Sequence, residues 1–155
     1  MSSGCDDNPR QPDDGAMDDD ARPGQRTAPE LIEHIRRPRN LGMLPNADVA
    51  VTALGSCGDA IDVSLVVKNR RIQRVGYMPH GCAFTLACAS VASTMAQGRT
   101  LAEARREVQP MAIDAALGGL PEDHGHCASL AASAIWKAIT VYLSTENEPW
   151  KRLYR

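Results

Sequence analysis

The chain has 155 residues, enough for one domain with a real core and too few for two, and its 17 Lys and Arg against 19 Asp and Glu leave a net charge of −2. That balance excludes the concentrated basic stripe of a nucleic-acid binder, and the sequence suggests neither a membrane span of roughly 18 apolar residues nor a secretory signal. Five cysteines, an odd number without closely spaced pairs, point to a cytoplasmic protein that uses thiols for metal binding or chemistry rather than for disulfides.

Charge is unevenly placed, with seven Asp against three Arg up to Thr27. Residues 1–28 are rich in Asp, Pro, Gly and Ser, cannot offset their ordering entropy by burial, and are expected to be a disordered acidic tail. Those acids also disfavour a mitochondrial leader, and Cys5 within them reads as a free thiol. An ordered domain is expected over 29–145, followed by a C-terminal extension, 146–155.

The domain opens with a predicted amphipathic helix, Pro29 to Arg36, in which Pro29 suits the first turn and Leu31, Ile32 and Ile35 share a face. Pro38 stops it. His34 reads as a polar position on that helix. Val49 and Val51, then Ile61, Val63, Leu65 and Val67, alternate with other residues at period two, and Ile72 to Tyr77 is a weaker third strand after a turn at Lys68 to Arg71. These predict a small antiparallel meander. After Pro79 the period changes: Ala83 to Ala96 has helical spacing and stops near Gly98, and Thr100 with Glu103 forms a capping-box pattern. A short helix over Met111 to Leu117 ends at Gly118-Gly119, and Ala128 to Leu143 is a long alanine-rich helix with Ala131, Ala134, Ile135, Ala138 and Tyr142 along one stripe. One helix, three strands, then helices argue for an α+β fold with helices packed on one sheet face.

Three cysteines stand at element boundaries, each with a glycine within the two preceding residues: Cys57 in a Gly-Ser-Cys-Gly-Asp loop, Cys82 before one helix and Cys127 before another. Gaps of 25 and 45 residues exclude the local pairs of zinc ribbons, so the fold must gather them. A helix start, with its unpaired N–H groups, is expected to ease ionisation of Cys82 and Cys127. Asp59 reads either as a turn carboxylate or as an oxygen ligand beside soft sulfur. His126 can face with Cys127 in a first turn. His124 reads as a solvated loop residue. Cys88, six residues past Cys82 and so about 120° around the helix, reads as a small buried hydrophobe.

With these positions set out, the chain from Leu31 to Leu143 resembles the IscU/NifU-N family of iron–sulfur cluster assembly scaffolds, with their SufE/NifU-like fold. The resemblance rests on His34-Ile35-Arg36-Arg37-Pro38-Arg39-Asn40-Leu41-Gly42, Cys57-Gly58-Asp59, Gly81-Cys82, Gly98 to Ala104, and Leu120-Pro121 leading to His126-Cys127-Ala128-Ser129-Leu130-Ala131. It implies a carrier rather than an enzyme, assembling a transient [2Fe–2S] cluster from ferrous iron (Fe2+) and sulfur for apo iron–sulfur acceptor proteins. It further implies that Cys57, Cys82 and Cys127 hold the cluster, that Asp59 or His126 takes the fourth place, and that Cys127 accepts persulfide sulfur from a cysteine desulfurase while a ferredoxin supplies electrons. The family's Leu-Pro-Pro-Val-Lys motif reads Leu-Pro-Glu-Asp-His here, which argues against recognition by the dedicated Hsp70-type chaperone and puts His124 in place of a lysine. Cys88 stands where the family has a small or hydroxylated residue and is a candidate auxiliary thiol.

Two other functions use the same residues. In a zinc-dependent sulfurtransferase Cys57, Asp59, Cys82 and Cys127 would bind Zn2+, but such proteins resemble this one less, carrying an insertion between the second and third cysteines and lacking the His-Cys pair. In a zinc-stabilised interaction module, Arg36, Arg37 and Arg39 would dock an acidic partner around an inert metal.

Overall fold

The computed structural model of the chain describes residues 28–56 and 58–148. Residues 1–27 of the expected tail, with Cys5, residue Cys57, and residues 149–155 lie outside the described residues.

Helix α1 spans Pro29–Arg36, as its periodicity predicts, and buries Leu31 completely. Strands β1 (Val49–Leu54), β2 (Ala60–Lys68) and β3 (Arg71–His80) form the expected antiparallel meander in that spatial order. Its alternation holds: Ile61, Val63, Leu65 and Val67 are buried, together with Val49, Ala53, Val75 and Tyr77 from the neighbouring strands. The β2–β3 turn consists of Asn69 and Arg70, both at positive φ (56° and 61°), the arrangement whose twist matches paired strands. An Arg70–Glu146 ion pair at 3.0 Å ties the hairpin tip to the last helix.

The helices are α2 (Ala83–Ala96), α3 (Leu101–Glu107), α4 (Pro110–Ala116) and α5 (Gly125–Asn147), with a 3-10 turn over Glu122–His124. α2 packs on β3, α5 packs on β1 and β2, and the two helices pack on each other. Their buried faces are rich in alanine and other small residues, which lets helix backbones approach closely. The α+β arrangement read from the sequence is therefore the one observed. The opposite sheet face carries residues 42–44: the Gly42 N–H donates to Tyr77 O at 2.7 Å and the Leu44 N–H to Ser64 Oγ at 3.0 Å. Gly76 is required there, because a Cβ would strike the Gly42 carbonyl oxygen and the Leu44 side chain. This cover explains why Ser64, outward by alternation, is fully buried.

Two expectations need correction. α5 starts at Gly125 rather than Ala128, because the 3-10 turn, closed by the His124 N–H donating to Pro121 O at 2.9 Å, already brings the chain into helical conformation. α5 is also long and apolar enough to cross a membrane by length and composition, which the sequence reading did not anticipate. More than half of that stretch is buried inside the fold, Ala131, Ile135, Ala138 and Ile139 among it, so its apolarity belongs to the core.

Candidate functional site

The β1–β2 connection, the end of β3, and the starts of α2 and α5 meet at one end of the sheet. The connection is closed by the Gly55 N–H donating to Asp59 O at 2.7 Å, which sets Asp59, half-buried, just before β2. β3 leads through Gly81 to Cys82, the N-cap residue of α2. Gly81 cannot be replaced without moving Asp59: a Cβ there would lie 2.6 Å from the Asp59 carboxyl carbon. Here the glycine next to a cysteine makes room at the site.

Cys82 Sγ and Cys127 Sγ are 3.9 Å apart, although 45 residues separate them. Cys82 is exposed and Cys127 is fully buried in the first turn of α5. Between them sits Thr85, fully buried one turn after Cys82. Its hydroxyl donates to Asp59 Oδ2 at 2.8 Å and lies 3.4 Å from Cys127 Sγ and 3.5 Å from Cys82 Sγ. His126 Nε2 is 3.6 Å from Cys127 Sγ, so the two consecutive residues do face together in the first turn. Ligand atoms of Asp59, His126 and Cys127 all lie within 4.8 Å of one another, and so do those of Cys82, His124 and Cys127. Of the residues expected at the site, Cys82, Cys127, Asp59 and His126 are gathered; Cys57 lies outside the described residues, between Ser56 and Gly58 of the same connection. A cleft of about 370 Å³ lined by Leu54, Ser56, His126 and Ser133, among others, opens beside His126.

The helix-start argument fails for Cys127. Burial pushes its thiol up to about 12, and the nearby Cys82 and Asp59 add to this, while the Thr85 hydroxyl opposes it only in part. A helix N-terminus contributes about 0.3–2 kcal/mol toward an anion, less than removing a thiolate from water costs here. Nor is this thiol exposed to solvent. Cys88 is fully buried, as the helical wheel requires, and burial raises its thiol strongly.

Of the remaining histidines, one, His124, differs from its sequence reading. His34 is half-buried with Nδ1 2.8 Å from Ser90 Oγ, and burial, with Arg39 nearby, lowers its pKa. His124 is no solvated loop residue: its ring stacks on buried Phe84 at 4.0 Å between centroids, tilted by 27°. Thr85 was missed outright, although its spacing of three residues from Cys82 on a helix places the two side chains on one face.

Residues 27–149 match the sequence profile of the NifU-like N terminal domain. The chain belongs to this family. Among its relatives, the iron–sulfur cluster assembly scaffold protein IscU 1 of Archaeoglobus fulgidus is 38% identical over 115 residues, 73% of this chain and 74% of the relative. The mitochondrial iron sulfur cluster assembly protein 1 of Schizosaccharomyces pombe is 32% identical over 124 residues, 77% of this chain and 64% of the relative. A crystal structure of a nitrogen-fixing NifU-like protein (N-terminal) from Brucella abortus superposes with a TM-score of 0.60 over 75% of this chain and 93% of that one, at 19% identity. The NifU-like fold is thus shared where little sequence is. The motifs quoted above lie inside the matched span.

Proposed function

We propose that this NifU-like domain is an iron–sulfur cluster assembly scaffold, a carrier whose cargo is a [2Fe–2S] cluster built at the pocket and passed to apo-acceptor proteins. The observation that carries the proposal is the pair of sulfurs 3.9 Å apart, Cys82 and Cys127, beside the Asp59 carboxylate and the His126 imidazole, in a chain of this family. Two thiolates on one tetrahedral metal with bonds of about 2.3 Å stand roughly 3.8 Å apart, so the pair needs little rearrangement to share an ion. Cys57 is proposed as the third sulfur ligand, with Asp59 or His126 in the fourth place.

The ligand chemistry suits a carrier. Durable [2Fe–2S] sites generally use four thiolates, whereas three with an oxygen or nitrogen donor hold the cargo less firmly. Cys127 is the proposed sulfur acceptor: its thiolate attacks the terminal sulfur of a persulfide on a cysteine desulfurase, the donor's S–S bond breaks, and the donor cysteine leaves as thiolate. Burial keeps Cys127 protonated in the resting pocket, and binding of ferrous iron there would release that proton, since coordinated thiols are deprotonated. Two electrons, delivered by a ferredoxin, then reduce the Cys127 persulfide to sulfide and thiolate.

The test is anaerobic reconstitution with ferrous iron, cysteine and a desulfurase, followed by visible absorption and then by mixing with an apo-ferredoxin. A visible cluster that leaves for the ferredoxin within the assay is expected. Stimulation of the desulfurase without cluster formation would instead favour the zinc sulfurtransferase. Asp59→Ala should slow release of the cluster, and unchanged or faster transfer would remove the carboxylate from the proposed mechanism.

A further inference from the structure

His124 is a histidine beside the pocket that the proposed ligand set does not use. One of its ring nitrogens lies within 4.8 Å of the Cys82 and Cys127 sulfurs. The ring is held in place: it stacks on buried Phe84, two residues past Cys82, and its backbone is fixed in the 3-10 turn before α5. Its Nδ1 is buried without a hydrogen-bond partner. Buried ring nitrogens are normally satisfied, so an orphan on a ring this close to two thiols calls for a partner that accepts a lone pair or an N–H.

We infer that His124 is a metal ligand, forming with Cys82 and Cys127 a site of two sulfurs and one nitrogen for a single divalent cation of the zinc or ferrous class. Two thiolates and an imidazole are the donors such ions take, with a fourth position left for water or another side chain. The second ligand set, Asp59, His126 and Cys127, shares only Cys127 with the first. A mononuclear ion can therefore exchange Cys82 and His124 for Asp59 and His126 while staying bound to Cys127. Ring centroids of His124 and His126 are 6.1 Å apart, which puts the two imidazoles close to each other beside that shared sulfur. The site uses the pocket proposed above for the cargo, but it needs only a single ion and no cluster.

The experiment uses the full chain freed of metal, titrated anaerobically with cobalt(II) as a spectroscopic stand-in and with zinc against a competing chelator. The variants are His124→Ala, His124→Phe and Cys82→Ser. His124→Phe keeps an aromatic ring on Phe84 and removes both nitrogens, so it separates ligation from packing. Changing groups around a metal site costs about 10–100-fold in affinity even when they only orient a ligand, so both His124 variants should lose at least about tenfold in zinc affinity. Both should change the cobalt ligand-field absorption, and each should lose one hyperfine-shifted imidazole N–H proton signal. Wild-type affinity and an unaltered cobalt spectrum in His124→Phe would overturn the assignment and leave the scaffold proposal standing, provided that Cys82→Ser weakens binding. Failure of the wild-type chain to bind either ion would overturn both.

Discussion

Three helices of this fold start in three different ways. α3 begins at Thr100 with a complete capping box: the Glu103 N–H donates to Thr100 Oγ1 at 3.2 Å, and the Thr100 N–H donates to Glu103 Oε2 at 3.0 Å. α2 begins at Cys82 and α5 at His124, and neither residue provides a side-chain cap. The helix far from the pocket has a side-chain cap, while the two that bring the cysteines together have none. The two uncapped starts differ in turn. Cys82 is the N-cap residue and exposed; Cys127 is two residues inside α5, beyond Gly125 and His126, and fully buried. A cysteine's place within the first turn, and what covers it, matters more than the helix start itself.

The largest expected effect concerns the thiols. With its thiol raised from 9.0 to about 12, Cys127 in the native metal-free chain should react with iodoacetamide at neutral pH about a thousandfold more slowly than in the urea-unfolded chain, as its thiolate fraction dictates. Its native rate should keep rising with pH well beyond 9. The same shift has a sign for stability: the folded pKa lies above the unfolded one, so no penalty exists below about 9, and stability falls as pH rises from there toward about 12. Cys127→Ala should lack that alkaline loss. Peptide mapping of the alkylated protein should find Cys82 modified before Cys127 and Cys88; early modification of Cys127 would break the contrast between the two starts.

Next in size, Thr85→Val should destabilise the metal-free chain by about 1–3 kcal/mol in urea unfolding, because it removes the hydroxyl that joins Asp59 to both sulfurs and leaves a half-buried carboxylate without that donor. Thr85→Ser should restore most of the loss. Thr100→Ala at the capped start should cost about 1 kcal/mol. The smallest effect has the opposite sign. Cys82→Ser places a preferred N-cap residue where none caps now, and should stabilise the metal-free chain by about 0.5 kcal/mol while weakening metal binding. A destabilising serine would show that the Cys82 thiol already supports the fold.

The backbone was largely legible in the sequence, and the chemistry of the pocket less so. Pro29, the small-residue stretch from Ala83, and the alternation of Ile61 to Val67 are local signals, and α1, α2 and β2 form around them. The Thr100 capping box was equally local and is intact. The start of α5 was misplaced because it depends on a preceding 3-10 turn without a strong residue signature. The gathering of Cys82, Cys127, Asp59 and His126 was foreseen through the motif. The protonation of Cys127, the stacking of His124 on Phe84 and the bridging by Thr85 depend on burial and on contacts between distant elements, which no periodicity encodes. Gly81 was legible in kind, a glycine beside a cysteine, but its neighbour, Asp59 from another loop, was not.

That the two helix starts and the β1–β2 connection form one cargo pocket is tested most directly by native mass spectrometry after anaerobic reconstitution. The wild-type chain should carry two irons and two sulfides, and Cys127→Ser none. An intact cluster on Cys127→Ser, or no cluster on the wild-type chain, would contradict it.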